Sequence, residues 1–508
     1  MQNLTRLFNK VNNLWIRSQV PTKKVPNINK IDLFLILVVC IIISIISSYE
    51  FGIKPLQNLI FLSTAIINFF EILICCGVLV YVSKKEDPTI NTRQVFLLIG
   101  LLLLVQILKI NLKTISPLSI IIPPALIISQ GMGTITALSW ISIAFIYWPN
   151  SSYGINEYLL PITFVLSCIV AILGEKIRSR GQLLQISILV PLGALIGQFF
   201  FLGVDTNDLY NLNIQNLFSK QGNIVSDSFF LATLMLLAII FMPILESIFG
   251  LVTKARLLEL ADQEKPLLRR LITEAPGTFE HTLLLCGLAE EATRMIGGNV
   301  DLVRTGALYH DIGKLHAPNW FIENQNGINN PHDELDNPLE SAKILQDHVD
   351  KGLKIAKKYR LPKPIVNFIP EHQGTLKMGY FLFKAKEKDK NISENHFKYK
   401  GPIPQSKETA ILMLADGCEA ALRAMNTNAT DKEALKIISK IINSRIKDGQ
   451  LLDSNFSIGE IYLIKISFLR PDAIIVDVAD LAANLAASIF VTIPPLPQMP
   501  PFPTKLSN

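Results

Sequence analysis

Residues 306–314 read Gly306-Ala307-Leu308-Tyr309-His310-Asp311-Ile312-Gly313-Lys314. The adjacent His310-Asp311 is the pivot of the chain. Upstream, Glu274-Ala275-Pro276-Gly277-Thr278 leads into His281, and downstream come His348, His372 and Asp416. Of the 7 histidines in the chain, His281, His310, His348 and His372 fall in this ordered set. A lone His-Asp dipeptide carries no information, because any single histidine is most simply a core or surface residue. The complete set, drawn from separate helices, supplies ligands for two metal ions.

Consecutive residues at a helix end point about 100° apart. Asp311 can therefore bridge two metals while His310 binds one of them. His281 and Asp416 then complete the first site, and His348 and His372 the second. Imidazole and carboxylate without thiolate suit iron, manganese or zinc better than calcium. Two such ions sharing a carboxylate and a bridging hydroxide form a phosphoester-cleaving arrangement. Asp311 and Lys314 are the catalytic candidates. Lys314, one turn on, is placed to neutralise a substrate phosphate, and a plain solvated lysine is the competing reading. His332, in Asn330-Pro331-His332-Asp333, shapes a loop or touches substrate. Thr375 joins Lys314 and His332 as a candidate substrate contact. His316 and His396 read as surface residues.

The chain has 508 residues, 50% of them hydrophobic, and a mean hydropathy of +0.37. That is too apolar for an ordinary soluble protein of this length. The excess is confined to residues 33–250. A bilayer-spanning helix needs roughly 20 apolar residues. Segments 33–48, 59–82, 95–108, 159–174, 186–204 and 229–250 meet or approach that. Segment 115–147 is split at Gln130-Gly131-Met132-Gly133 into two short spans, the first broken by Pro123-Pro124, for about eight in all. With eight, the basic N-terminal arm 1–32 and the clusters Lys84/Lys85/Arg93, Lys176/Arg178/Arg180 and Lys254/Arg256/Arg269/Arg270 all fall on the cytosolic side, as positive charge should. Lys109 and Lys113 are the exceptions. The first span reads as an uncleaved anchor, since no small-residue cleavage site follows it. The net charge of +6 reports this topology and a solvated surface, not a nucleic-acid polymer as partner. Six cysteines without CxxC spacing argue against disulfides and thiolate metal sites. Glu71 and Glu246 lie inside apolar segments, and such carboxylates normally face the bundle or an aqueous cavity. Glu246 reads as a hydrogen-bonded tie between helices. Glu71 stays open between that role and a ligand site.

From residue 251 the composition becomes charged. Residues 251–275 predict a juxtamembrane helix continuing the last span. Pro276-Gly277 then breaks it, and Thr278 caps the next helix, with Leu284, Leu285, Leu288, Ala292 and Met295 on its core face. Further helices are expected over 302–310, 339–358, 364–372, 407–423 and 432–447, with an ordered loop over the site at 324–338 and a surface loop over 384–405. No strand pattern occurs. The fold class is therefore all-α: a polytopic transmembrane helical bundle followed by a cytosolic all-helical domain over 276–470. Residues 471–508 are an apolar and then proline-rich tail with no functional reading.

Several segments carry a resemblance: Leu257-Leu258-Glu259-Leu260-Ala261-Asp262, Pro266-Leu267-Leu268-Arg269-Arg270, Glu274–Thr278 with His281, Gly306–Lys314, Phe321-Ile322-Glu323-Asn324-Gln325, Asn330–Asp333 and Met413-Leu414-Ala415-Asp416. Together these resemble the membrane-bound HD-domain phosphodiesterases of the seven-transmembrane-HD type, which hydrolyse cyclic di-AMP. The resemblance implies that His281, His310, Asp311, His348, His372 and Asp416 ligate two divalent ions, iron or manganese. It implies conversion of cyclic di-AMP to pApA, and an integral membrane protein with its N-terminus and HD domain in the cytosol. The bilayer and the cyclic dinucleotide are then its partners, and a homodimer is an open candidate for its assembly. Gln373 stands where the family has the second histidine of a pair, which implies a weaker second site. Only a short loop follows the first span, where the family usually has a large external domain. Two alternatives are another HD phosphohydrolase and a catalytically silent membrane receptor. The cyclic di-GMP branch carries a Gly-Tyr-Pro element that Gly374-Thr375 and Met378-Gly379-Tyr380-Phe381 do not match.

Overall fold

The structure, a computed structural model, describes residues 29–50, 59–87, 90–111, 116–146, 159–202, 223–325, 330–423, 425 and 430–469. The arm before residue 29, the 153–158 loop and the 471–508 tail lie outside these. The described residues form two compact units, one running to Arg269 and including Tyr359–Val366, the other comprising Arg270–Lys358 and the chain from Asn367. Both are helical. Among the described residues, the β structure is one isolated bridge between Lys377 and Lys398.

The first unit contains eight apolar helices among its described residues: α1 Lys30–Glu50, α2 Leu59–Glu86, α3 Thr92–Asn111, α4 Pro117–Met132, α5 Thr134–Ile146, α6 Leu159–Gly174, α7 Arg180–Leu202 and α8 Asn223–Phe249. By length and composition, α2, α3, α7 and α8 can cross a bilayer, while α4, α5 and α6 are shorter. Side-chain ties show that the helices alternate in direction. At one end, Lys84 closing α2 pairs with Asp32 opening α1 at 2.5 Å. There too, Gln94 in the first turn of α3 donates to the Gly250 carbonyl (3.2 Å) after α8, and Thr134 opening α5 donates through its N–H to Glu175 (2.9 Å) after α6. At the other end, Ser119 near the start of α4 reaches the Asp227 carbonyl (3.5 Å), and Gln198 near the end of α7 donates to Ser228 (3.4 Å). Eight alternating helices return the chain to the end where it began.

Two readings need correction here, and the two carboxylates within apolar segments are now located. Pro123 and Pro124 do not break α4, which runs through both and is buried along almost its whole length. Neighbouring helices and hydroxyl side chains can re-satisfy the backbone groups a membrane proline frees. The last span does not continue as one helix past residue 250. Gly250 adopts φ +67, and the Leu251 N–H bonds the Glu246 carbonyl at 3.1 Å, a left-handed glycine stop. A new helix, α9 Lys254–Leu260, then starts under a Thr253 cap whose hydroxyl accepts from the Arg256 N–H. Glu246 is a tie as expected, but to a cation: Arg180 lies 3.0 Å away, and Thr253 donates to it at 2.5 Å. Glu71 faces outward, exposed on the surface of α2, not into the bundle.

In the second unit, α10 Pro266–Glu274 leads to α11 Pro276–Met295 and α12 Val300–Tyr309, and three short 3-10 turns cover Ile312–Asn324. Then come α13 Pro331–Leu335, α14 Pro338–Lys358, α16 Phe368–Glu371, α17 Gly379–Lys388, α18 Lys407–Arg423, α19 Asp431–Lys447 and α20 Ile458–Ser467, while α15 Lys363–Val366, between α14 and α16 in the chain, belongs to the first unit. Thr278 does not cap α11. Proline is favoured in the first helical turn, where its missing N–H is an orphan in any case, so the helix opens at Pro276. Its third residue, Thr278, is capped from outside, its N–H donating to Asn324 Oδ1 at 3.0 Å. The expected 384–405 surface loop is partly structured. Residues 379–388 form α17, where Phe381, Leu382 and Ala385 pack with Ala342 and fully buried Phe397. Helix α20 opens with a capping box between Ser457 and Glu460, a Ser-x-x-Glu signal visible in the sequence.

Candidate metal centre

The six candidate ligands converge inside the second unit. His281 comes from α11, His310 caps the end of α12, Asp311 opens the next turn, His348 lies in α14, His372 follows α16, and Asp416 sits in α18. Three glycines let the backbones close in. A Cβ on Gly313 would stand 1.7 Å from the His348 carbonyl oxygen, and one on Gly277 would stand 1.8 Å from that of Glu323. A Cβ on Gly306 would meet the Phe368 ring at 2.4 Å.

All four imidazoles are oriented alike. Nδ1 faces an oxygen in each: Ala307 O for His310 (2.6 Å), Leu345 O for His348, Phe368 O for His372 (3.0 Å) and Glu419 Oε2 for His281 (2.9 Å). A hydrogen bond at one ring nitrogen fixes the tautomer and leaves the other for a metal. The Nε2 atoms face the two aspartates. His281 Nε2 is 3.2 Å from Asp416 Oδ1, and His310 Nε2 is 3.1 Å from Asp311 Oδ2. Asp311 Oδ1 lies 3.5 Å from His348 Nε2 and 3.6 Å from His372 Nε2. Ligand atoms of His281, His310 and Asp416, and of His310, Asp311 and His372, each group within 4.8 Å. Nε2 of His310, His348 and His372 and Oδ1 of Asp311 are buried without a hydrogen-bond partner. Orphaned buried polar atoms are costly, and divalent cations satisfy lone pairs arranged in this way. The residues fit metal.

Electrostatics separate the two halves. Burial alone would raise the Asp311 carboxyl, but the neighbouring His310 and Lys314 charges hold it well below the usual carboxylate range. Burial also opposes ionisation of Asp416, and its bond to His281 overcomes this and pulls it down. Burial would lower His281, yet Asp416 and Glu419 carry it up to about 10. Burial and the charge at His310 press His372 down to about 3, and burial likewise lowers His348.

Lys314 is not a free cation. It lies 2.8 Å from Asp311 Oδ2 and 2.6 Å from Glu323 Oε1, with its ammonium 5.1 Å from the Phe321 ring centroid. A cleft of about 310 Å³ opens beside it, lined by His281, Ile322, Glu323, Asp416, Glu419 and Arg423 among others. His332 and Thr375 do not line that cleft. His332 Nε2 bonds the Trp320 carbonyl (3.0 Å), and its ring packs on Trp320 and Phe381. Thr375 is gripped by Gln450, which accepts from its N–H (3.0 Å) and donates to its hydroxyl (2.8 Å).

Sequence reasoning gave no role to Glu323, Glu419, Arg423, Tyr399 or Gln450. Glu419 and Arg423 follow Asp416 by three and seven positions, one helical face, and that spacing was the available signal. Arg423 donates to Glu419 (2.9 Å), and its guanidinium lies 2.9 Å from His281 Nδ1. The Tyr399 ring lies 5.9 Å from that of His348, and burial pushes its phenol above the ordinary range.

Comparison with known proteins matches residues 62–253 to the family described as 7TM receptor with intracellular HD hydrolase, and residues 278–421 to the HD domain. The first segment carries α2 to α8, seven helices, and the second all six candidate ligands. An uncharacterised protein of Synechocystis is 48% identical over 233 residues, 45% of this chain and 29% of that protein. The cyclic-di-AMP phosphodiesterase PgpH of Bacillus subtilis is 36% identical over 309 residues, 61% of this chain and 42% of that protein. The chain thus spans less than half the length of either relative. The crystal structure of the L. monocytogenes phosphodiesterase PgpH HD domain in complex with cyclic di-AMP is 40% identical and covers 41% of this chain and 96% of that chain, with a TM-score of 0.40.

Proposed function

Since this chain belongs to the family of seven-transmembrane receptors with an intracellular HD hydrolase, we propose that it is a membrane-anchored phosphodiesterase that opens cyclic di-AMP to linear pApA at a two-metal centre. The supporting observation is the set of inward Nε2 atoms around Asp311, each with its Nδ1 already engaged. The substrate rests on the relatives: cyclic di-AMP is what PgpH, in the name it carries, acts on.

His281, His310 and Asp416 would hold one ion, His348 and His372 the other, with Asp311 offering one oxygen to each half. Bound there, iron or manganese would polarise the phosphodiester and lower the pKa of the attacking water. The chain's own residues do the positioning. Glu419, itself held by Arg423, holds the His281 ring, and backbone carbonyls hold the other three. Lys314 offsets the charge on Asp311 and faces the cleft, so it sits beside the phosphate a substrate would bring. Ile322, exposed at the rim of the cleft, offers an apolar surface for a base. Residue 30 and residue 250 lie at one end of the membrane unit, which supports the reading that this end faces the cytosol.

The test uses the full chain in detergent, loaded with Mn²⁺ or Fe²⁺ and offered cyclic di-AMP or cyclic di-GMP. Conversion of cyclic di-AMP to pApA, abolished in Asp311→Ala, is expected. Turnover of cyclic di-GMP alone would overturn the substrate, and metal-free inactive protein would overturn the centre.

A further inference from the structure

Tyr399 brings to the metal centre a polar group that the described protein does not use. Its half-buried ring lies edge-to-face with His348, centroids 5.9 Å apart. The strap that carries it is stitched to the elements bearing both ligands of the second half. Gln346, two residues before His348, donates to the carbonyls of His396 (2.8 Å) and Lys398 (3.0 Å). Phe397 is fully buried. On the chain that follows His372, the Met378 N–H donates to the Phe397 carbonyl (2.8 Å), and the Tyr399 N–H donates to the Leu376 carbonyl (3.0 Å). The ring is thus held in place, and its phenol feels the charges of Lys314, Asp311 and Asp416. Among the described residues, however, the Tyr399 hydroxyl has no hydrogen-bond partner. A tyrosine turned inward ordinarily engages its O–H, so a free one beside a reactive site is available to a ligand.

We propose that Tyr399 is a catalytic residue whose phenol donates a hydrogen bond to a non-bridging oxygen of the scissile phosphate. The proposal rests on the phosphodiester reading of the same centre. Lys314, the other donor at that place, is already engaged by Asp311 and Glu323, so a phosphate seated there has need of a further one. Tyrosine, with an ordinary pKa of about 10, is protonated at neutral pH and donates without giving up its proton. As water attacks, charge gathers on the non-bridging oxygens, and a donor fixed beforehand strengthens its bond at that moment without reorganising. The contact therefore raises turnover more than it tightens substrate binding. Packing alone does not account for the hydroxyl. A phenylalanine would give His348 the same ring contact, and the His348 ring is already oriented through Nδ1 by the Leu345 carbonyl. A contact to a base fits less well, because the charges around the phenol belong to residues that surround the metal and phosphate positions.

Tyr399→Phe in the full chain, loaded with Mn²⁺ in detergent, tests the contact on two substrates. One is cyclic di-AMP. The other is bis(p-nitrophenyl) phosphate, a phosphodiester with neither ribose nor base. On both, kcat should fall about 10- to 100-fold, the range for one hydrogen bond to a charged group, while KM changes less than about threefold. Metal content and melting temperature should match the unaltered chain, because the hydroxyl has no protein partner to lose. Calorimetry with orthovanadate, which adopts the geometry of attack, gives a readout independent of turnover: it should bind Tyr399→Phe about tenfold or more weakly. Unchanged kcat on both substrates, a fall confined to cyclic di-AMP, or loss of metal or stability in step with activity would each overturn the proposal. An unaltered chain that cleaves only bis(p-nitrophenyl) phosphate would overturn the cyclic di-AMP reading instead, and that second substrate would then decide the role of Tyr399. A metal-loaded unaltered chain that cleaves neither would overturn both.

Discussion

Glu419 Oε2 stands 2.9 Å from His281 Nδ1, on the side of the ring opposite Asp416. One imidazole is thus held between two carboxylates of the same helix, α18, three residues apart. The arrangement fixes the ring, and it also makes the His281 half of the centre compete with protons in a way the other half does not.

The pH dependence of metal loading follows. Without metal, His281 rises from 6.5 to about 10, so at neutral pH an ion must displace a proton from Nε2. Raising the pH from about 6.5 to about 7.5 should strengthen binding at this half by up to about tenfold, with release of up to about one proton. His372, pressed down to about 3, is already neutral, so binding at its half should barely change. Calorimetry in buffers of different ionisation enthalpy separates the two. The sign for stability is the reverse. The raised His281 pKa stabilises the metal-free fold fully below about 6.5, and that contribution is lost as the pH rises through about 10.

Substituting Glu419→Gln should weaken the first ion about 10- to 100-fold, the usual effect of removing a partner that orients a metal-binding histidine. The second ion should be retained, and the proton release at His281 should fall because one of the two carboxylates raising it is neutralised. Metal analysis after dialysis, run beside Asp416→Asn, distinguishes an orienting role from direct ligation. Equal loss of both ions in Glu419→Gln would contradict the role given to Glu419.

A third expectation concerns backbone approach. Gly313 sits where a Cβ would lie 1.7 Å from the His348 carbonyl oxygen. Gly313→Ala must push α14 away from the Asp311 turn, at a cost of about 1–3 kcal/mol or more. A lowered melting temperature with both ions weakened is the expected outcome. Gly287→Ala, where nothing lies within 4 Å of the added atom, should be neutral or mildly stabilising, because alanine is the better helix former.

The convergence of the six candidate ligands was legible because metal chemistry restricts residue type: few histidines, an adjacent His-Asp and a late aspartate leave little freedom. The membrane helices were legible from apolar length, and Gly133 marked the break between α4 and α5. What escaped depends on contacts between elements distant in sequence. Nothing local shows that Asn324 reaches back 46 residues to cap α11, or that Lys314 is already engaged by Glu323. Thr278 read as a cap because Ser, Thr, Asp and Asn favour that position, while Pro276 two residues earlier decides where the helix opens. The glycine stop at Gly250 was misread because the flanking residues favour helix, and a single left-handed residue ends it.

The loop bearing His372 gives the last prediction. Glu371 is buried and its Oε2 accepts from the Gln405 N–H (2.9 Å) and the Thr409 hydroxyl (2.6 Å). Three residues past His372, the buried Gln450 side chain grips Thr375 through both its N–H and its hydroxyl. Gln450 lies beyond residue 421, where the match to the HD domain ends, so the chain's own later segment buttresses the second half of the centre. Gln450→Leu removes both bonds and leaves the Thr375 N–H without its acceptor, at a cost of about 1–3 kcal/mol. The second ion should loosen while the first, held by His281, His310 and Asp416, stays. In manganese-loaded protein this reads as a spin-coupled pair giving way to an isolated ion. Gln450→Glu, which keeps the acceptor for the Thr375 N–H, should lie between the two. Loss of both ions together in Gln450→Leu would mean that the segment supports the whole domain rather than the His372 loop.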